Sequence, residues 1–312
     1  MEHQKRVFRG MGTVITVEVV HETPETILDE AQKQAQLFET RFSANDPQAT
    51  LSRINQQAGK LAVPVPADLF ALIDLSRQHS LAPDSYLNIA IGPLVQEWRI
   101  GFADAHLPAT DKIKTLLPLT DPENILLDHR QQTVALKQAG MQIDLGAVAK
   151  GFFADQLMAY FQQADVKAAL IDLGGNVLVY GDAPRHADHS WRVGIQNPFL
   201  PRGNFAAALK VQNKSVVTSG VYERTFQLDG QTYHHIFDRQ TGFPLTTELA
   251  SLTIVSDKSV DGEIWTTRLF GQSPQQILST LSSLRGITGL LITKQGELLY
   301  PREMANLIET VG

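Results

Sequence analysis

Apolar residues recur along this chain in two rhythms, a helical one that dominates its first half and a strand-like one that dominates its second. Val14–Val20 is β-branched and reads as a strand. Pro24 and Glu25 then open a helix whose apolar positions Leu28, Ala31, Ala35, Phe38 and Phe42 keep the i, i+3, i+4 spacing of one buried face. Phe42–Asn55 begins as a polar turn and runs into a short helix. Ala67–His79 predicts a second amphipathic helix with Leu69, Leu72, Ile73 and Leu75 or Ser76 inward. Three prolines and scattered charges make Phe102–Arg130 loop-rich, and Val148–Phe161 returns to helical spacing. Strands follow over Ala168–Leu173 and Val177–Tyr180, around Gly174-Gly175, and over Trp191–Gln196, Phe205–Val211, Val221–Leu228, Tyr233–Asp238 and Ala250–Val255. Two helices, Val260–Phe270 and Pro274–Leu284, precede a closing hairpin, LLITKQGELLY, turning at Gln295-Gly296. So irregular an order of strands and helices predicts an α+β fold and not a doubly wound sheet.

Composition narrows the function classes. The chain has 312 residues, 43% hydrophobic and 19% charged, which is ordinary for a soluble globular protein. Length alone allows about two domains. The loop-rich segment is nevertheless not a boundary, because chemistry-bearing blocks lie on both sides of it. A net charge of −6 with no basic stripe argues against nucleic acid as a partner. With no cysteine there is no disulfide, thiol nucleophile, zinc–thiolate or iron–sulfur chemistry. The N-terminal apolar run, Val14–Val20, is broken by Thr16 and Glu18. It therefore reads as a strand, not as an export signal or membrane anchor, and the expected compartment is the cytoplasm.

Four blocks carry candidate chemistry. In DLGAVAKGFFAD (Asp144–Asp155), Gly146 and Gly151 permit close backbone approach and Lys150 offers a point charge to phosphate. A helix starting near Ala147 would aim free N–H groups at an anion; the plainer reading makes Asp144 the cap of that helix. The Gly-x-x-x-x-Gly-Lys-Ser/Thr order of a P-loop is absent, and Gly174-Gly175 precede a strand, unlike a dinucleotide fingerprint. In GEIWTTRLFG (Gly262–Gly271), Glu263 and Thr267 stand one helical turn apart, a hard-oxygen pair suited to Mg²⁺, with Asp261 a competing ligand. In TYHHIFDRQTGFP (Thr232–Pro244), His234 and His235 are adjacent on a predicted strand. Only one of them can face a given site, there to act as a general base or simply to hydrogen-bond across the strands. The fourth block, TSGVYER (Thr218–Arg224), lacks a nucleophile elbow, and no His-x-x-x-His or Glu-x-x-His pattern supports zinc.

Taken in order, MGT, FS…DP…LSRIN, NIAIGPLV…W, DLGAVAKG, LGGN, WRVGIQNP, TSGVYER, HIFDRQTG and TTRLFG resemble the FAD:protein FMN transferases, the ApbE family, from Met11 to Gly271. The resemblance implies a single α+β domain over residues 1–312, related to the T-fold, with antiparallel sheets and packed helices. It implies an enzyme that binds FAD and uses Mg²⁺ to move FMN onto a threonine or serine hydroxyl of an acceptor flavoprotein, releasing AMP. Carried over residue by residue, it places flavin contacts at Met11, Asn45, Tyr86, Leu87, Asn88, Asp144, Lys150 and His235. The metal would lie at the Ala147 carbonyl and the Glu263 and Thr267 side chains, with His235 as the base. Three positions depart from the family pattern: Glu263 and Asn88 stand where aspartates are common, and Asn45 where a tyrosine often stacks on adenine. Two alternatives share the same site: an FAD pyrophosphatase using water, and a non-catalytic flavin carrier.

Overall fold

The computed structural model describes residues 1–309. In chain order, β1 (Glu2–Gly10) and β2 (Thr13–His21) precede α1 (Pro24–Phe42), α2 (Thr50–Gln56), β3 (Val63–Pro64), α3 (Ala67–Leu81), α4 (Gly92–Trp98) and α5 (Thr110–Leu116). Then come β4 (Ile125–Asp128), β5 (Thr133–Leu136), α6 (Ala149–Gln163), β6 (Ala168–Leu173), β7 (Asn176–Gly181), β8 (Trp191–Gln196) and β9 (Phe205–Val211). Next are β10 (Ser215–Gly220), β11 (Thr225–Leu228), β12 (Gln231–His234) and β13 (Leu249–Ser256). The chain continues through α7 (Ser259–Leu269), α8 (Pro274–Ser283), β14 (Ile287–Thr293), β15 (Leu298–Leu299) and β16 (Ile308–Glu309). Eight strands make one sheet, β1-β2-β6-β7-β10-β13-β14-β15, and smaller sheets are β16-β9-β8, β3-β5-β4 and β11-β12. Every pair among the described residues is antiparallel, so the expected α+β class holds.

The large sheet sorts its side chains by the period of two. Ile15, Val17 and Val19 of β2 and Ile171 and Leu173 of β6 point into a core shared with Leu28, Ala31 and Ala35 of α1 and Phe153, Leu157 and Phe161 of α6. Phe38 and Phe42 stack with centroids 3.8 Å apart, and Phe153 tilts against Phe38 at 5.1 Å. On the other face Val179, Val216, Val255 and Leu290 meet the β8–β9 ribbon through Val193, Ile195 and Leu209. β13 is buried along all of Leu249–Ser256, covered on both faces. Its residues are accordingly apolar or small hydroxyl-bearing ones, with Ser251, Thr253 and Ser256 buried among the aliphatics. No helix among the described residues is long and apolar enough to cross a membrane.

The elements differ from the sequence expectation where the pattern is weak. β1 is an edge strand with no fully buried residue, so it shows no alternation to detect. Ser215–Gly220 is a central strand of the large sheet, whereas the strand expected over Val221–Leu228 shortens to β11 in a separate hairpin. The strand expected over Tyr233–Asp238 ends at His234; beyond it the chain pairs with Phe243–Leu245, the Asp238 N–H donating to the Phe243 carbonyl and the Leu245 N–H to the Ile236 carbonyl, and turns at Asp238, whose carboxylate accepts the Gln240 and Thr241 N–H groups. The loop-rich Phe102–Arg130 contains α5, two short 3-10 turns with proline in their first turn, and β4.

Candidate functional site

Two loops packed back to back form the floor of the site. The Asp144 N–H donates to the Ile89 carbonyl at 2.9 Å. Asn55 holds Ile143 at both ends, donating to its carbonyl at 3.0 Å and accepting its N–H at 2.7 Å. Gly92 makes the approach possible, since a Cβ there would lie 2.7 Å from the Gln142 carbonyl oxygen. These contacts fix where the chain turns into α6.

The α6–α7 crossing holds the polar centre. A Cβ on Gly151 would sit 2.6 Å from the Ser259 carbonyl, so glycine lets the two helices touch by their backbones. Each helix then caps the other. Asp155 of α6 accepts the Ser259 and Val260 N–H groups at 2.7 and 2.9 Å, which are the first free donors of α7. Glu263 of α7 accepts the Gly151 N–H through Oε2 at 2.8 Å, in the first turn of α6, and pairs through Oε1 with the Lys150 ammonium at 2.6 Å. Glu263 is only 3% exposed. Burial pushes the Asp155 carboxyl up to about 6 in spite of its two backbone donors, with Asp261 adding to the rise. Asp144 is therefore not the cap of α6: its Oδ1 accepts the Gly146 N–H at 2.7 Å in a local turn, and the helix begins only at Ala149.

The same geometry frees oxygen atoms. In a regular helix the Gly151 N–H would bond the Ala147 carbonyl, but Glu263 has taken it, and no hydrogen bond among the described residues ends on that carbonyl. Val148, next in the chain, has its carbonyl used by Phe152. The Thr267 hydroxyl is likewise unbonded, in contrast to Thr266, which turns back to the Glu263 carbonyl at 3.0 Å. A free carbonyl, a free hydroxyl and a carboxylate with lone pairs to spare are a donor set that fits Mg²⁺. Among the described residues no group of three His, Cys, Asp or Glu side chains supplies an alternative. Asp261, the rival ligand, is half-buried, and burial raises its carboxyl.

The two histidines separate at the end of β12, whose last residue is His234. His234 is buried, its Nε2 donating to the Leu245 carbonyl at 2.9 Å while Nδ1 accepts the Ile236 N–H at 3.3 Å. Burial keeps its pKa low and the ring neutral. His235 turns the other way. Its Nδ1 faces the Arg224 carbonyl at 3.3 Å, and only a protonated Nδ1 can bond a carbonyl, so Nε2 carries the lone pair. Its ring keeps an edge toward solvent but is crowded enough that burial leads in lowering its pKa to about 4, followed by the positive charge of Arg224 and more weakly by His234 and Lys150. Asp144 belongs to the same neighbourhood: burial raises its carboxyl, opposed by the Gly146 N–H and the Arg224 charge. Lys150 and Glu263 are thus in contact, while Asp144 and His235 are linked through the charge of Arg224.

The remaining expected contacts divide. Met11 occupies a two-residue hairpin turn with Gly12, both at positive φ (50° and 69°), and its N–H donates to Glu39 at 2.6 Å. The Tyr86 ring lies on the backbone of Gly271, and its N–H reaches the Arg268 carbonyl. Asn45 is exposed and accepts from Gln96 at 3.1 Å. Leu87 is core, and the Asn88 amide is occupied by the Thr120 carbonyl and the Ala90 N–H at 2.8 and 2.9 Å, so both shape the loop from inside. Sequence reading gave no role to Asp155, Asn55 or Arg224. All three lie in blocks it singled out, but their partners are distant in the chain.

A second region holds the histidine hairpin in place. Trp98, fully buried, donates from Nε1 to the Gly242 carbonyl at 3.0 Å and packs against Phe226, Tyr233, Phe237 and Phe243. This plug pins both β11–β12 and the Thr241-Gly242 turn to α4.

Comparison with known proteins gives the family of the chain as a whole. Residues 11–291 match the profile of the ApbE family. The chain is 39% identical to an FAD:protein FMN transferase of Klebsiella pneumoniae (strain 342) over 84% of its own length and 80% of the relative's. It is 36% identical to one of Treponema pallidum (strain Nichols), over 90% and 82%. The fold is shared with the ApbE protein of Thermotoga maritima MSB8, at TM-score 0.89 and 23% identity, covering 98% of this chain and 99% of that one. It is also shared with the Pseudomonas stutzeri flavinyl transferase ApbE in its apo form, at TM-score 0.83 and 21% identity, covering 98% and 96%.

Proposed function

The chain belongs to the ApbE family, and from that premise we propose that it is an FAD:protein FMN transferase, a Mg²⁺-dependent enzyme that moves FMN from FAD to a threonine or serine hydroxyl of an acceptor flavoprotein. The observation that supports the reading most directly is the Lys150–Glu263 ion pair at the start of α6, with the ring of His235 near enough to feel the Lys150 charge. Residues 1–312 act as one domain in this reading, since the site draws on residues from Met11 to Thr267.

In the reaction the acceptor oxygen forms a bond to the FMN phosphorus as the pyrophosphate P–O bond breaks. The electron pair leaves with AMP, and the acceptor proton passes to His235 Nε2. A neutral imidazole at neutral pH is the form able to take it. Ala147, Glu263 and Thr267 would hold Mg²⁺, which when bound neutralises pyrophosphate charge. Lys150 provides a cation at the same place, positioned by its ion pair with Glu263. Met11, Tyr86 and Asp144 border the flavin, whereas Leu87 and Asn88 act by shaping the loop beneath it and Asn45 lies exposed at the margin.

Mass spectrometry after incubation with FAD, Mg²⁺ and candidate acceptor proteins tests the proposal. The expected result is an acceptor heavier by one FMN less water, with one AMP released. Metal-dependent AMP release that needs no acceptor would favour the pyrophosphatase, and flavin binding with neither product would favour the carrier.

A further inference from the structure

Arg224 is the cation of this site with no assigned work. It follows β10 and precedes β11, so its backbone is held between the large sheet and the histidine hairpin. Its side chain lies across Gly101, whose φ is +94°, and a Cβ there would come within 3.2 Å of the arginine Cδ. No ion pair or hydrogen bond among the described residues uses its guanidinium. Glu223, immediately before it, is already paired with Arg202. The Arg224 carbonyl lies 3.3 Å from His235 Nδ1, and the charge of the residue is felt at both His235 and Asp144, so it neighbours the base and the phosphate-suited loop. An arginine fork left unpaired in a chain of net charge −6, next to groups that handle a pyrophosphate, calls for an anion.

We propose that Arg224 works with both of its ends: its guanidinium binds the pyrophosphate of FAD, and its backbone carbonyl holds His235 in the tautomer that leaves Nε2 free. The inference rests on the function proposed above and adds to it a residue that reads the phosphates. Two-pronged contact explains why the residue is arginine. Lysine would supply the charge but not the planar fork that matches adjacent phosphate oxygens. It also joins substrate binding to base strength. With the phosphates absent, the positive charge faces His235 and opposes its protonation; with them present, that charge is neutralised and the imidazole becomes a stronger base where the acceptor proton must be taken.

The groups felt by His235 are the cations Arg224 and Lys150 and the neutral ring of His234, so one substitution isolates the contribution of Arg224. In the full chain, Arg224→Gln is expected to weaken FAD binding by roughly 10- to 100-fold, the usual loss of a charge-assisted hydrogen bond. Riboflavin, which has no phosphate, should change by less than about twofold on the same scale. Arg224→Lys should fall between wild type and Arg224→Gln. Histidine-selective NMR titration of the flavin-free protein should show the His235 pKa rising in Arg224→Gln, while that of His234 stays in place. Equal weakening of FAD and riboflavin would mean that Arg224 only supports the fold. Unchanged FAD affinity would mean that it touches no phosphate, and an unmoved His235 titration would remove the link to the base. Absence of FMN transfer by the unmodified protein would overturn the function proposed above, and the comparison of FAD with riboflavin would still judge Arg224 on its own.

Discussion

The site is assembled from two regions built on opposite principles. The α6–α7 crossing is polar, buried and backbone-tight, with a carboxylate from each helix capping the other and a glycine at the point of contact. The β11–β12 hairpin with the turn after it is short and largely exposed. It is anchored from behind by the aromatic plug around Trp98, with His235 on its open side. The difference matches two tasks. Charge on a pyrophosphate is best met by groups that do not rearrange. A base that must receive a hydroxyl from another protein needs an open side. A helix-to-helix lock supplies the first and a hairpin supplies the second.

The largest expected effect tests the open region. His235→Ala should lower FMN transfer by roughly 10²–10⁴-fold, with FAD affinity by calorimetry largely kept. His234→Ala should leave the rate mostly intact and lower the melting temperature, because it orphans the Leu245 carbonyl. Reversal of that pattern would exchange the roles of the two histidines. The locked region should respond to Glu263→Gln in two readouts together. Breaking a buried pair costs about 3–5 kcal/mol, and the quarter-exposed Lys150 should bring this to the low end or below, measured by denaturant unfolding. The Mg²⁺ concentration needed for turnover should rise steeply. A stability loss with unchanged metal dependence would move the metal elsewhere, to Asp261 first.

Gly151→Ala should cost about 1–3 kcal/mol by overpacking, since the added carbon meets the Ser259 backbone and not a flexible side chain. Trp98→Phe should cost a comparable or smaller amount, about 1–2 kcal/mol for the lost Gly242 bond and packing, and should slow transfer without changing metal affinity. If Trp98→Phe weakens metal binding as much as Glu263→Gln does, the two regions are not separable.

The remaining tests are in pH. His235 has a folded pKa of about 4, below the unfolded value of 6.5, so its neutral form is favoured by the fold. Its contribution to stability is present above the unfolded pKa and is lost as pH falls through the folded one, between about pH 6.5 and 4. The acid limb of kcat/KM should accordingly lie near pH 4 in the metal-saturated enzyme. Asp155 has the opposite sign: a carboxyl raised to about 6 destabilises the fold as pH rises from about 4 through 6. Asp155→Asn should flatten that slope in a pH series of thermal melts.

Sequence by itself determined the elements whose pattern is local. The spacing of Leu28, Ala31, Ala35 and Phe38 gave α1, α3 was recovered with Leu69, Leu72 and Ile73 inward, and α7 and α8 fell within a residue or so of expectation. It also led to the expectation that His234 and His235 face different ways, and they do take different partners although only His234 lies in β12. Wherever burial comes from distant neighbours, sequence fell short. β1 pairs along a polar edge, β10 is covered by helices and strands far away in the chain, and the region taken as loop hides α5 and β4. Only the tertiary structure decided what the site side chains do. Asp144 reads as a helix cap but turns on its own Gly146, while the carboxylate that reaches the start of α6 comes from Glu263, 112 residues further on. The hydrogen bonds of the Asn88 amide to the Thr120 carbonyl and the Ala90 N–H could not be read from the sequence either. Periodicity reports on neighbours along one element, whereas a cap, an ion pair or a freed carbonyl depends on which atoms the folded chain brings within about 3 Å.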